Sequence, residues 1–470
     1  MASKLLVIHS DVSAMSRLKR WVFFIFPPKL SVYLFRKFID DNRERNSSDA
    51  VKFVIDGSNL YPTRYFFLVG RSLRFSLALG GVSLPKPYVR KLVKSLMKTR
   101  GHHSRRNYVC EQIFYETLKL NPKQTSSQGW KLISLTLAGF GFIRACSVVR
   151  NHCFTEGLKE VLMGAASDRT TSLVIKGLLE RRRFEEARQL IEKQSTQSNL
   201  QNSFEAYSDY LALLKQRRPQ VESVGDNVKS EAEILFSELV AGKTIAIVAP
   251  GEIEKELGQE IDSHDTVIRV KFSGRSAMPN ERFVGRRCDI TSHNFEILAL
   301  SKLNKIDSKK FVSDAPDLKL IVVKKGEFRE MDGIPIKRMS NWPPTFLTTA
   351  TSGTMLIFET LKYAPKSVKL YGFDFYTNPR IYNSPLLKSY KTSEYPDGGV
   401  QNDFSWHGDY FAPYSIARSH LSHDLKSDFL LVKNLYELSG LIDGTPEVLE
   451  ILNLTADEYD ARLEEMLGDW

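Results

Sequence analysis

The chain has 470 residues, 42% of them hydrophobic and 26% charged, with a formal charge of +11. This length exceeds the usual size of one core, so two or three domains are expected, and the composition is that of a folded soluble protein. The four cysteines, Cys110, Cys146, Cys153 and Cys288, are few and have no metal-ligand spacing, which argues for reduced thiols rather than a zinc site or a disulfide framework.

The charge sits at the start. Residues 1–110 hold 21 Lys and Arg against 6 Asp and Glu, which leaves 111–470 at −4. A basic block of this kind meets nucleic acid, anionic lipid or an acidic glycan, or is a solvated face of an ordinary helical domain. Here it is interleaved with Trp21-Val22-Phe23-Phe24-Ile25-Phe26 and Tyr65-Phe66-Phe67-Leu68-Val69, without the spacing of a nucleic-acid-binding module. An anionic membrane surface is therefore favoured over nucleic acid as a partner. The longest apolar candidate, Trp130 to Ile143, contains Lys131 and falls short of the ~18–20 residues that span a bilayer. The first residues lack the layout of a secretory signal, so a cytoplasmic protein, peripheral at the inner membrane, is expected.

Residues 1–150 form this basic region, broken by Pro27-Pro28 and Gly80-Gly81. A helical domain or linker over 151–235 follows, with Leu173, Ile175, Leu178 and Leu179 on one segment and Phe184, Ala187, Leu190 and Ile191 on the next, at three- and four-residue steps. The run from Gly177 to Glu192 is similar to one hairpin of a tetratricopeptide-type array, without clear repetition. After the polar stretch Arg217 to Glu231, short apolar runs alternate with helical ones across 236–445: Thr244–Val248, Thr266–Val270, Leu318–Val323 and Ser367–Tyr371. That alternation predicts an α/β fold, a Rossmann-like doubly wound parallel sheet whose ligands bind off the carboxyl ends of the strands. Residues 446–470 are acidic and helix-prone, either packed back on the basic region or a solvated tail.

Chemistry concentrates at those strand ends. Gly251, directly after a buried strand, lets backbone approach a phosphate or ribose, and the following helix start favours negative charge. Thr351-Ser352-Gly353 precedes an amphipathic helix, where hydroxyls and a glycine serve either to cap the helix or to hold an anion. Tyr371-Gly372-Phe373-Asp374-Phe375-Tyr376 offers a phenol, and His423 an imidazole that titrates near neutral pH.

These residues resemble sialyltransferases of two groups. Ile261-Asp262, Asp265-x-Val267-x-Arg269, Val284-Gly285 with Asp289, Ser352-Gly353 and Tyr371-Gly372-Phe373 look like the motifs of the animal-type enzymes. Gly372-Phe373-Asp374-Phe375-Tyr376 with Tyr382, and His423 with Asp428, are similar to the bacterial lipooligosaccharide sialyltransferases. The resemblance covers about 243–437 and implies a GT-A-like sheet and an inverting glycosyltransferase. Such an enzyme moves sialic acid, or a related ulosonic acid such as Kdo or pseudaminic acid, from its CMP ester to a glycan or glycolipid acceptor. It implies Tyr376 and Tyr382 at the departing phosphate, His423 as general base with Asp428 orienting it, and Gly251, Arg269, Lys271, Thr351, Ser352, Gly353 and Asp374 around the donor. His407, in Trp406-His407-Gly408, and His420 are further candidates for acceptor or phosphate. No metal and no cofactor beyond the activated sugar are expected.

The departures are specific. Ala249-Pro250 stands where the family has a Gly-Asn step, Lys271 replaces an asparagine, and Ile245 and Pro365 occupy the positions of the animal-type disulfide. Lys271 can meet a phosphate or carboxylate as a point charge. Two other readings stay open: a motility-associated glycosyltransferase or pterin pyrophosphokinase-like enzyme, whose first strand also ends in Pro-Gly, and a non-catalytic glycan-binding homologue.

Overall fold

A computed structural model of the chain describes residues 126–128, 130–131, 134, 138, 143–194, 201–215, 230–272, 274–276, 281–293, 308–324, 329–340, 342–377 and 423–467. The basic block 1–110, with Tyr382, His407 and His420, lies outside these residues. The chain divides into two compact units, 1–156 with 469–470, and 157–468. In the first, Trp130 stacks on His152 with ring centroids 5.0 Å apart, and the Cys153 thiol lies 3.2 Å from Ser127 O.

The second unit is built on eight strands: β1 (Thr244–Val248), β2 (Thr266–Val270), β3 (Ile290–His293), β4 (Leu320–Val323), β5 (Glu330–Met331), β6 (Ile334–Arg338), β7 (Ser367–Tyr371) and β8 (Ile442–Gly444). They form one sheet in the order β5-β6-β4-β3-β2-β1-β7-β8, all parallel except the short edge pair β5/β6. Every residue of β2 and β4 is buried, because a parallel sheet is covered on both faces; β4 accordingly reads as an unbroken apolar run, and β2 as a β-branched one interrupted by Arg269. This α/β sheet agrees with the fold class expected from the alternation of runs.

Two helical layers provide the cover. On one face Ala246, Val248 and Val267 pack with Ile261 of a short helix, Gly258–Asp262, while Ile321, Val323 and Ile336 pack with Phe311 of another, Ser308–Ser313. Lys337, the neighbour of Ile336 on β6, points to the opposite face. There it is ion-paired with Glu359, 1% and 0% of their side chains being exposed, and its ammonium sits 5.1 and 5.3 Å from the ring centres of Phe236 and Tyr363.

Of the segments set apart in the sequence at 151–235 and 446–470, residues 157–235 and 446–468 belong to the same compact unit as the sheet. Two helices, Asp168–Glu180 and Phe184–Gln194, form the expected hairpin, turning at Arg182 with φ 59°. That turn docks on a helix near the end of the chain, Leu425–Ser439, where Arg182 Nε donates to Asn434 Oδ1 at 2.7 Å and Glu180 Oε2 accepts from Ser427 Oγ at 2.8 Å. The acidic end is not a solvated tail. Its last helix, Ala456–Leu467, buries Tyr459 completely, with the ring stacked on Phe429 at 4.2 Å, and pairs Asp460 with Lys426 at 2.5 Å. Among the described residues, no helix is long and apolar enough to cross a membrane.

Candidate functional site

From β1 the chain steps outward through β2, β3, β4 and β6, then returns to the other side of β1 as β7 and β8. The strand order therefore reverses between β1 and β7, and in open α/β sheets that switch point opens a crevice beyond the carboxyl ends of the strands. The loop that leaves β7 begins with Gly372, and the loop that leaves β1 carries Gly251 as its third residue. A Cβ on Gly251 would fall 2.1 Å from Gly372 O, and Gly372 itself adopts φ 65°. The freedom of Gly251, expected to admit a phosphate, is used to let the two loops touch. Gly251→Ala should therefore shift the loops apart and lower stability by about 2–3 kcal/mol, read as a lower urea midpoint.

Beyond Gly372 the β7 loop makes a tight turn in which Phe375 and Tyr376 hold φ of 47° and 64°. Left-handed backbone costs a non-glycine residue roughly 1–2 kcal/mol, so other contacts must hold it. Asp374 Oδ1 accepts from Tyr376 N–H at 3.0 Å, Asp374 O accepts from Thr377 N–H at 2.9 Å, and the Tyr459 hydroxyl lies 2.9 Å from Phe375 O. The Asp374 carboxylate thus builds the turn that presents Tyr376. Burial, and then the charges of Asp428 and Asp374, raise the Tyr376 phenol well above its usual range, against a hydrogen bond from Thr351. At neutral pH it is a proton donor.

The helix Ser352–Lys362 brings Thr351, its N-cap residue, to the same place. The Thr351 side chain makes no cap hydrogen bond to the helix backbone, and Thr351 N–H donates instead to Asp428 Oδ2 at 2.9 Å. Asp428 is 3% exposed, and its Oδ1 has no partner among the described residues. Burial pushes this carboxyl up to about 7; the Thr351 N–H and hydroxyl and the Lys324 charge oppose the rise, and Asp424 adds to it. Asp424 caps the helix Leu425–Ser439 and accepts from Leu347 N–H at 2.6 Å.

His423 also meets this segment, with Nδ1 3.0 Å from Thr349 O. A carbonyl only accepts, so Nδ1 carries the proton in this bond. The orienting group is thus the Thr349 carbonyl, and the Asp428 carboxylate, expected in that role, bonds Thr351 instead. Asp428 and His423 thus meet on residues 349–351, and the charge of Asp428 reaches the Tyr376 phenol.

Cationic groups line the neighbouring strand ends. Lys271, at φ 56°, follows β2 and its charge reaches His293 at the end of β3. Burial, then Lys271, hold that imidazole down near 3, so it is neutral. Lys324 follows β4, where Nζ donates to Ala350 O at 2.7 Å and stands 4.9 Å from the centre of the Trp342 ring. Sequence reasoning missed Lys324, His293, Trp342 and the carbonyls of 349–350; polar residues directly after parallel strands were the available signal.

Two expected donor contacts lie elsewhere. Arg269 is buried, its Nε and Nη2 donating to Arg287 O and Val284 O at 2.8 and 2.7 Å, which fastens the loop before β3. Gly353, in the first turn of its helix after Ser352, packs on Phe373: an added Cβ would lie 3.0 Å from the ring. The other residues of the animal-type pattern are also structural, with Asp262 accepting from the backbone of Arg286 and Arg287, Asp265 from Thr244, and Asp289 from Val267 N–H, Arg287 and Lys319. Among the described residues, no cluster of His, Cys, Asp or Glu has the geometry to hold a metal ion. No protein-family model matches the chain, and no curated protein shows significant similarity to it.

Proposed function

We propose that this chain is an inverting transferase that moves sialic acid or a related ulosonic acid from its CMP ester to a hydroxyl of a glycan or glycolipid, with the donor in the β1/β7 crevice. The observation that carries the reading is that His423 and Asp428 bond neighbouring residues of one segment, Thr349 and Thr351, while the charge of Asp428 reaches the Tyr376 phenol. In the transfer the bond from the anomeric carbon to the phosphate oxygen breaks, and its electron pair leaves on the phosphate, which Tyr376 serves as a neutral donor. The acceptor oxygen attacks the opposite face of that carbon, and its proton passes to Nε2 of His423. Lys271 and Lys324 supply positive charge for the donor's carboxylate and phosphate. The basic, aromatic residues 1–110 then give the enzyme a membrane surface on which to meet a lipid-borne acceptor.

The burial of Arg269 and the Ala249-Pro250 step favour a second reading, a glycan-binding protein that has lost its donor contacts. Thermal unfolding in a panel of CMP-sugars separates the two. A donor at 100 times its Kd should add about 2.7 kcal/mol to stability, and the purified protein should release CMP from it. No protection by any CMP-sugar would remove the transferase reading, and protection without CMP release would favour the binding protein.

A further inference from the structure

Four residues at the entry to the helix Leu425–Ser439 grip one short segment. Ser427 Oγ accepts from Phe346 N–H at 2.9 Å, Asp424 Oδ2 from Leu347 N–H at 2.6 Å and Asp428 Oδ2 from Thr351 N–H at 2.9 Å, while His423 Nδ1 bonds Thr349 O at 3.0 Å. The place of the imidazole therefore depends on the register of 346–351 against this helix start.

The helical hairpin reaches into that grip. Glu180, the last residue of the helix Asp168–Glu180, is buried, and its Oε2 lies 2.8 Å from Ser427 Oγ; Asp424 Oδ2 lies 3.0 Å from the same hydroxyl. A hydroxyl has one proton to give. Asp424 Oδ2 already receives Leu347 N–H, so the Ser427 proton goes to Glu180, which leaves a lone pair of the hydroxyl turned to Phe346 N–H. Arg181 completes the contact, its guanidinium 3.7 Å from Glu180 Oε1 and 5.5 Å from the centre of the Phe346 ring. For packing alone a buried carboxylate is a poor choice, because its desolvation is costly and an apolar side chain of similar volume would hold the interface as well. What the carboxylate adds is direction: it sets which way the Ser427 hydroxyl turns.

We propose that Glu180 is a positioning residue for the imidazole: by orienting the Ser427 hydroxyl it fixes the register of 346–351, and with it the ring of His423. The proposal rests on the transferase reading, in which His423 is the base, and it draws the helical hairpin into the working unit. Two elements then hold the segment from outside, since Lys324 donates to Ala350 O from the end of β4. Glu180 acts on the ring through Ser427 and the backbone of 346–349, with no contact to substrate required.

The test compares Glu180→Leu, which keeps the bulk and removes the acceptor, with Glu180→Gln, whose side-chain carbonyl can still accept from Ser427. The first readout needs no turnover: magnetic resonance of the full chain, its histidines labelled with the heavy isotope of nitrogen, at about pH 8, above the usual imidazole range. The signals missing from His423→Ala belong to His423, and in wild type they should show the ring proton held on Nδ1. Glu180→Leu should let that proton exchange between Nδ1 and Nε2, and Glu180→Gln should keep the wild-type pattern. Ser427→Ala cuts the same link at its other end and should match Glu180→Leu, so that one variant carries the test if the other fails to fold. The second readout is CMP release from a CMP-sugar. In Glu180→Leu kcat should fall about 10–10²-fold with the Kd for CMP unchanged, and in Glu180→Gln it should return to within about 3-fold of wild type. A His423 pattern unmoved in Glu180→Leu, equal losses in Glu180→Leu and Glu180→Gln, or a CMP affinity that falls together with kcat would overturn the proposal. Failure of wild type itself to bind any CMP-sugar would refute the transferase reading, and the histidine signals would then decide alone whether Glu180 fixes the ring.

Discussion

His423→Ala should lower kcat for sugar transfer by about 10²–10⁴, the usual worth of a positioned general base, while the Kd for CMP stays within a factor of two or so. The division follows from the geometry. His423 is anchored to the 349–351 segment through Nδ1, not to the β1 and β7 loops through that atom, so its loss is expected to remove the base at Nε2 and to leave those loops in place. Stopped assays of CMP release, beside calorimetry with CMP, check both halves. A drop in CMP affinity equal to the drop in kcat would assign His423 to binding, and an unchanged kcat would remove it from the chemistry.

The largest stability effect lies away from the crevice. Lys337→Met should cost about 3–5 kcal/mol, because it leaves Glu359 as a charge with no exposed surface in the layer between β6 and the helix Ser352–Lys362. The Ser340 hydroxyl, 3.2 Å from Glu359 Oε2, and the Lys362 ammonium at 3.9 Å are too weak to replace the lost partner. Changing both residues, Lys337→Met with Glu359→Leu, should regain most of that loss, since an apolar pair of similar volume removes the desolvation cost of both charges. Urea midpoints of the two variants are the measurement. Equal losses in the single and double changes would mean that packing of the lysine stem against Phe236 and Tyr363, not charge, holds this layer.

The legible part of the fold was the part whose physics is local. Thr244–Val248 and Ser367–Tyr371 are buried parallel strands and look like it, and the helix after Ser352 announces itself through its apolar stripe. β3 did not, because Thr291, Ser292 and His293 are polar yet fully or almost fully buried, a pattern that only their neighbours explain. β6 hid behind Pro335 and the buried Lys337, and β8 is three residues long and ends in a glycine.

Around the crevice, residue type was readable and allegiance was not. Arg269 and Gly251 have the chemistry of ligand contacts, but the nearest carbonyls in the fold claim both. Spacing put Asp428 on the helix after His423 and so suggested a pair. The chain enters that helix at Asp424, which sends the aspartate to Thr351 and leaves the histidine to a backbone carbonyl from another segment. Such choices depend on which loops meet, and sequence order does not record that.

The hydrogen bond from Tyr459 to the strained turn at Phe375 has a consequence for biosynthesis. The residues that present the phenol are made about eighty positions before the one that steadies them, an interval fixed by their numbers. On the ribosome the sheet can assemble while that turn is still unsupported, and the crevice takes its working shape only when the last helix settles. The turn at Phe375 and Tyr376 therefore gains this support only after the Ala456–Leu467 helix has been made.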